Sequence, residues 1–155
     1  MRGPFEFVAR SRLDAPAATV LESMLTVSGV NYELRPIVRM TAPRGTDRLD
    51  PASVPTGERL FRSWILLFGL IPIDYDDITV VRLDPARGFL ERSPMASQRL
   101  WEHERLVEPD GDGCVVTDRV LHEPKIALGG RLQSAVFRQV FLHRHRRLRK
   151  RFGAR

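Results

Sequence analysis

Residues 98–124 read QRLWEHERLVEPDGDGCVVTDRVLHEP. Two strand-like runs, Gln98–Val107 and Cys114–Glu123, flank the turn formers Glu108-Pro109-Asp110-Gly111-Asp112-Gly113. The pattern predicts an antiparallel hairpin. With Glu108–Gly113 as its loop, Val107 faces Cys114. Continuing that ladder sets Trp101 opposite Val120, His103 opposite Asp118 and Arg105 opposite Val116. On the reverse face Leu100 meets Leu121 and Glu102 meets Arg119. The first face, with Trp101, Val107, Cys114, Val116 and Val120, is the more apolar and is expected to look inward; a one-residue slip would invert every side chain. Glu102–Arg119 then becomes an outer ion pair of little energetic weight. His103 and Asp118 become a polar dyad in an apolar wall.

Upstream, Gly57–Phe68, Ile73–Leu83 and Gly88–Ser93 are further strand-like runs, separated by turn-like Gly69–Pro72, Asp84–Arg87 and Pro94–Ala96. Consecutive strands with such short connections predict an antiparallel meander. Residues 43–56 read as a loop and 37–42 as a short strand. At the start, FEFVARSRL (5–13) alternates, with Phe5, Phe7, Ala9, Ser11 and Leu13 on one face. Asp14 or Ala15 as cap and Pro16 near the first turn then open a helix, with Val20, Leu21, Met24 and Leu25 at helical spacing. Ser28-Gly29 is expected to end it, and a second short helix over about 30–35 stops at Pro36. Downstream of Pro124, Gly129-Gly130 precedes RLQSAVFRQVFLHRHRRLRKRF, a helix of roughly 34 Å at about 1.5 Å per residue, closed by Gly153. Leu132, Val136, Phe137, Val140 and Phe141 form a broad apolar face in its first half. Its second half keeps only Leu148 and Phe152 among the bases. No repeat or linker interrupts residues 1–155, so one domain is expected.

The chain has 155 residues, 43% hydrophobic and 28% charged, enough to bury a core. Its net charge of +6 and pI near 10.6 raise the question of an acidic partner. Yet seven of the 25 Lys and Arg residues fall within 143–155 (HRHRRLRKRFGAR), where there is no acid. The remainder is nearly neutral, and the basicity belongs to the last helix. Cations suit a helix C-terminus, so a solvated, dipole-matched helix end is the plain expectation. The alternative is contact with an anionic partner through residues 144–151. No aromatic stacking platform accompanies these bases, so no specific nucleic acid is expected.

Cys114 stands alone, which excludes an intrachain disulfide and a multi-Cys zinc site and fits a reducing compartment. Met1–Phe5 lacks the apolar core of a secretory signal. The longest apolar stretch, WILLFGLIPI (64–73), is ten residues against the roughly twenty that span a bilayer. A cytoplasmic location without a transmembrane segment is expected. His143 and His145 are two apart and diverge on a helix, so they are not a zinc pair. In Asp74-Tyr75-Asp76-Asp77 alternation separates Asp74 and Asp76 from Tyr75 and Asp77, and the cluster reads as a solvated strand start. No metal and no cofactor are expected.

The order of elements is strand, two short helices, a meander and one long terminal helix. With the phrases RGFLERS (87–93), RLWEHERLV (99–107), VTDRVLHEP (116–124) and FLHRHRRLRKRFG (141–153), it resembles the SRPBCC superfamily of START-type, polyketide cyclase-like and birch-pollen-allergen-like proteins. The resemblance implies the α+β helix-grip fold, in which a curved antiparallel sheet of about six or seven strands wraps the C-terminal helix around a cavity. It also implies a small hydrophobic ligand, lipid- or polyketide-like, and in some members an aromatase/cyclase activity. The candidate cavity walls are Trp64, Leu66 and Phe68 by period two, with Trp101, Val120, Val136, Phe137 and Val140. For each of these, core packing is the competing reading. Tyr75, His103 and Asp118 are the polar groups that could orient a ligand. In a cyclase/dehydrase-like enzyme His103 and Asp118 would form the proton-transfer pair; the competing reading is a structural pair. A second copy of the chain is left open as a partner.

Overall fold

Strict alternation along the first run makes a strand with one buried face, and β1 (Phe5–Leu13) has Phe7, Ala9, Ser11 and Leu13 buried. The computed structural model describes residues 4–155; Met1–Gly3 lie outside the described residues. After β1 come α1 (Ala17–Met24), α2 (Val27–Leu34) and β2 (Val38–Met40). The meander follows as β3 (Arg59–Leu67), β4 (Ile71–Asp84), β5 (Gly88–Arg92), β6 (Gln98–Asp110) and β7 (Gly113–Pro124), and α3 (Gly130–Phe152) ends it. The seven strands form one curved antiparallel sheet in the order β1-β7-β6-β5-β4-β3-β2. No described helix is long and apolar enough to cross a membrane.

Two local expectations are corrected. Ser28-Gly29 does not end the first helix. The chain leaves α1 at Leu25, and Thr26 caps α2 by accepting from the Gly29 amide at 2.9 Å. Gly29 sits inside α2 because a Cβ there would lie 2.1 Å from the Ser23 carbonyl oxygen.

The second correction is the β6–β7 register. Gly111 and Asp112 alone make the turn, Gly111 at φ 58°, as a two-residue hairpin with glycine in the first position demands. The strands therefore continue through Pro109, which pairs with Cys114. Pro109 is tolerated because β5 pairs with β6 no further than Leu106, so its missing N–H faces no neighbour. Val107 thus faces Val116, Arg105 faces Asp118, His103 faces Val120 and Trp101 faces His122. The shift is two residues, so every side chain keeps its expected face. Glu102 and Arg119 are diagonal rather than opposite and still bond at 2.9 Å.

Four elements change character along their length in step. β1 runs from Phe7 and Ala9 through Ser11 to Leu13. β6 runs from Trp101 through His103 and Arg105 to Val107. β7 returns from Cys114 and Val116 through Asp118 to Val120, and α3 runs from Phe141 through Arg144 and His145 to Leu148. A polar layer thereby separates two apolar clusters. One contains Leu13, Val20, Leu21, Met24, Val107, Val116 and Leu148; the other contains Phe7, Ala9, Met95, Trp101, Val120 and Phe141.

The terminal helix reverses its expected exposure. Leu132 and Val136 in the apolar half are 69% and 52% exposed, while Arg144, His145 and Leu148 are buried. The basic end is docked rather than solvated because it finds partners. Arg144 bonds Glu33, Arg147 donates to the Tyr32 carbonyl, Arg149 to Ser11, Arg151 to Ser23 and Arg155 to the Asp110 carbonyl. Five of the seven bases are thus committed within the fold, which leaves little of the tail for an anionic partner.

Gly88, at φ 140°, lies where β5 crosses β6; a Cβ there would be 1.9 Å from the Arg105 carbonyl oxygen. Gly88→Ala is expected to lower the urea-derived unfolding free energy by about 2–4 kcal/mol through clash and strain. Gly57 has φ 79° but open space around its Cβ. Gly57→Ala is accordingly expected to cost only about 1–2 kcal/mol of backbone strain.

Candidate functional site

Where the apolar half of α3 stands away from the sheet, a cavity of about 190 Å³ remains. α3 supplies Val136, Phe137, Val140, Phe141 and Arg144. β3 supplies Ile65 and Leu67, and β4 supplies Ile73, Asp74 and Asp76. Glu91 comes from β5, Met95 from the turn after it, and Trp101 and His103 from β6. Leu34, Ile37, Val38 and Met40 close the side towards α2. Ile73 and Val136 line the cavity and are both more than half exposed, which places them at its mouth. Phe68, Leu70 and Ile71, which precede Ile73 in the chain, are exposed as well.

The floor at the polar layer is built on Asp118, which is fully buried. Its Oδ1 accepts His103 Nε2–H and Arg105 Nε–H, each at 2.8 Å; its Oδ2 accepts an Arg105 Nη2–H at 2.7 Å and His145 Nε2–H at 2.8 Å. Burial alone would raise the Asp118 pKa, but the Arg105 charge, His103 and their hydrogen bonds outweigh it and hold the carboxyl well below its ordinary range. Arg105 also forks onto Glu33 of α2 at 2.7 and 3.0 Å. Burial opposes the Glu33 charge, and Arg105 and Arg144 restore it, so its pKa too is lowered. Beyond Asp118, the Ser11 hydroxyl lies 2.7 Å from His145 Nδ1 and accepts from Arg149.

An ionised carboxylate only accepts, so both histidines present Nε2–H to Asp118. The remaining nitrogen of His103, Nδ1, has no described hydrogen-bond partner. The His103 ring is fixed edge-on between Phe89 and Phe141, with centroids 5.1 and 4.9 Å away.

The residues singled out in the sequence divide. His103 and Asp118 are brought together, although Asp118 sits behind the wall with all its acceptor sites taken. Trp101, Val136, Phe137 and Val140 line the cavity. Val120 packs beneath it with Trp101 and Phe141. Trp64, Leu66, Phe68 and Tyr75 are corrected, since none belongs to the lining. Trp64 and Phe68 are 45% and 67% exposed, and on the outer face the Trp64 ring stands edge-on to Tyr75, over whose ring the Arg62 guanidinium lies. Arg62 is the signal that could have prevented this, because it shares their strand parity while Phe61, Ser63, Ile65 and Leu67 are all uncharged.

Asp76 and Glu91 were not foreseen as cavity groups. The alternation of Asp74 and Asp76 holds, but Asp76 is 3% exposed rather than solvated, and Asp77 alone meets Arg62 outside. Arg144, Ile65 and Met95 were likewise missed; nothing local in the sequence marks Arg144 as buried. Among the described residues no group of three or more His, Cys, Asp or Glu side chains is placed to hold a metal ion.

This architecture recurs in solved structures of low sequence identity. A START superfamily protein from Mycobacterium smegmatis aligns at TM-score 0.63 with 11% identity, over 97% of each chain. The Zhui aromatase/cyclase from Streptomyces sp. R1128 aligns at 0.59 with 15% identity, over 94% of this chain and 91% of that one. Ara h 8.0201 aligns at 0.61 with 11% identity, over 94% and 98%. The fold is therefore the α+β helix-grip fold of the SRPBCC proteins. Residues 11–152 match the family described as Domain of unknown function (DUF8410), and the chain belongs to that family. No curated protein matches the chain.

Asp118→Asn is expected to destabilise the protein by about 3–5 kcal/mol, because it strands Arg105 in the interior with half its partners. The pH dependence follows from the lowered carboxyl pKa values of Asp118 and Glu33. Their stabilisation is complete above the unfolded carboxylate pKa of about 4 and is lost as pH falls through the folded values. Urea titrations from pH 7 downward are expected to show an acid-side loss of stability that is shallower in Asp118→Asn.

Proposed function

We propose that this protein binds a small, mainly apolar molecule in the cavity between α3 and the sheet. The observation that carries this reading is the division of α3: its basic half is fastened into the fold, while its apolar half, with Val136, Phe137 and Val140, borders open space instead of a filled core. Isolated apolar residues on a surface need no explanation, but an apolar cavity with a few convergent polar groups and an apolar mouth is the usual form of a small-molecule site. The solved neighbours, which include an aromatase/cyclase and a START superfamily protein by name, support the same reading.

A thermal-shift panel of aromatic, polyketide-like and fatty-acid probes tests it. A ligand at about a hundred times its Kd is expected to add about 2.7 kcal/mol of stability. Val140→Trp, which fills the cavity from α3, is expected to abolish the shift while leaving the protein folded. An equal shift in Val140→Trp would place the ligand elsewhere.

One observation favours a second reading, that the cavity is also a proton-transfer site. Asp118 engages Nε2–H of His103, so Nδ1 is the nitrogen left for a bound molecule. If a substrate is turned over, His103→Gln is expected to lower kcat by about 10²–10⁴-fold. Binding in the same variant should be nearly unchanged, and unchanged turnover would remove His103 from the mechanism.

A further inference from the structure

The cavity wall opposite α3 carries two carboxyl groups that neither reading uses. Asp76 faces inward from β4, and its Oδ1 is buried with no hydrogen-bond partner. Glu91, on β5, lines the same cavity as Asp76, and its Oε1 accepts the Ser93 hydroxyl at 2.7 Å. A second carboxyl nearby in apolar surroundings disfavours ionisation. Burial first, and Glu91 second, hold the Asp76 carboxyl well above its ordinary range.

The other charged groups at this wall are already engaged. Asp74, on β4, accepts from the Ser97 amide and hydroxyl and from the Tyr75 amide. From β6, His103 has given Nε2–H to Asp118. From α3, Arg144 has given Nε–H to Glu33, and its guanidinium stacks on Phe141. β3 presents no charge, since Ser63, paired with Asp76, turns its hydroxyl to the Thr41 carbonyl. In the polar layer behind, Glu33 and Asp118 balance Arg105 and Arg144. The β4–β5 wall therefore faces its occupant with acceptors and negative charge, while across the cavity Arg144 keeps terminal N–H groups with no described partner.

We propose that the cavity selects a ligand bearing a protonated amine on an apolar body, with the ammonium group seated on Asp76 and Glu91. The proposal rests on the cavity being the ligand site. An ammonium N–H supplies the donor that Asp76 Oδ1 lacks, and its charge takes the place of the proton that the raised pKa favours on Asp76, which leaves for the buffer. A neutral alcohol leaves that proton in place. A carboxylate brings a further negative charge to a wall that already holds Asp74 and the pair.

Three probes with one apolar body separate these cases: 1-naphthylmethylamine, 1-naphthylmethanol and 1-naphthoate. They are titrated calorimetrically into the full chain at pH 7.5, in phosphate and in Tris, whose ionisation heats differ. The amine is expected to bind about tenfold more tightly than the alcohol, as one charge-assisted hydrogen bond allows, and naphthoate most weakly. Only the amine should release a proton, read as a difference in heat between the buffers. Asp76→Asn and, as the milder change at a half-buried position, Glu91→Gln should each weaken the amine by about tenfold and spare the alcohol. Alcohol or naphthoate binding as tightly as the amine, or amine heats independent of buffer, overturns the ammonium assignment and leaves the cavity reading standing. Binding by none of the three overturns both.

Discussion

One buried carboxylate organises this molecule. Asp118 collects donors from β6 and α3 on its two oxygens, and the Arg105 it holds reaches on to Glu33 of α2. Taking ions out of water costs several kcal/mol each, and only a complete set of partners offsets that cost. Glu33, Arg105, Asp118 and Arg144 meet the condition jointly: charges alternate, and loss of Arg105 would leave Asp118 without its guanidinium and Glu33 with Arg144 alone. The sheet, the second helix and the terminal helix are thus held in one mutual arrangement by directional bonds, where apolar packing alone would tolerate sliding.

The same layer divides the interior into two compartments with different duties. On one side Leu13, Leu21, Val107, Val116 and Leu148 pack closely under α1. On the other, Trp101, Phe137 and Phe141 make only part of a core, and the space left over is the cavity. Close packing and open space therefore draw on separate sets of residues. His103 is the hinge between them, bonded to the layer through one nitrogen while its ring borders the cavity.

The fold was legible because it rests on periodicity. Alternation in 5–13, the runs from 57 to 123 and the helical spacing after Gly130 depend on local pattern, and the order of β3 to β7 follows from short connections, whereas the place of β1 beside β7 does not. Even the misplaced hairpin turn shifted pairing by two, so His103 and Asp118 still came to the same side. The cavity was read less well. The face of β3 was chosen by aromatic weight, from Trp64 and Phe68, when the charge on Arg62 was the better guide. The burial of Arg144, His145 and Asp76 was not legible, because it depends on partners in α2, β7 and β5 that no local pattern reports. A basic stretch reads as solvent-facing until its acids are located, and Glu33 lies 111 residues from Arg144.

The two halves of α3 are fastened by chemically different means. From Arg144 to Arg151 the ties are guanidinium groups. Nearer its start the helix is held by one neutral bond, from Gln98 Nε2–H to Gln133 Oε1 at 2.8 Å, and by the Phe137 ring, edge-on to Trp101 and His122. Phe137 lies about 10 Å along the axis from Arg144. The segment that borders the cavity is thus secured without drawing on any member of the ion network.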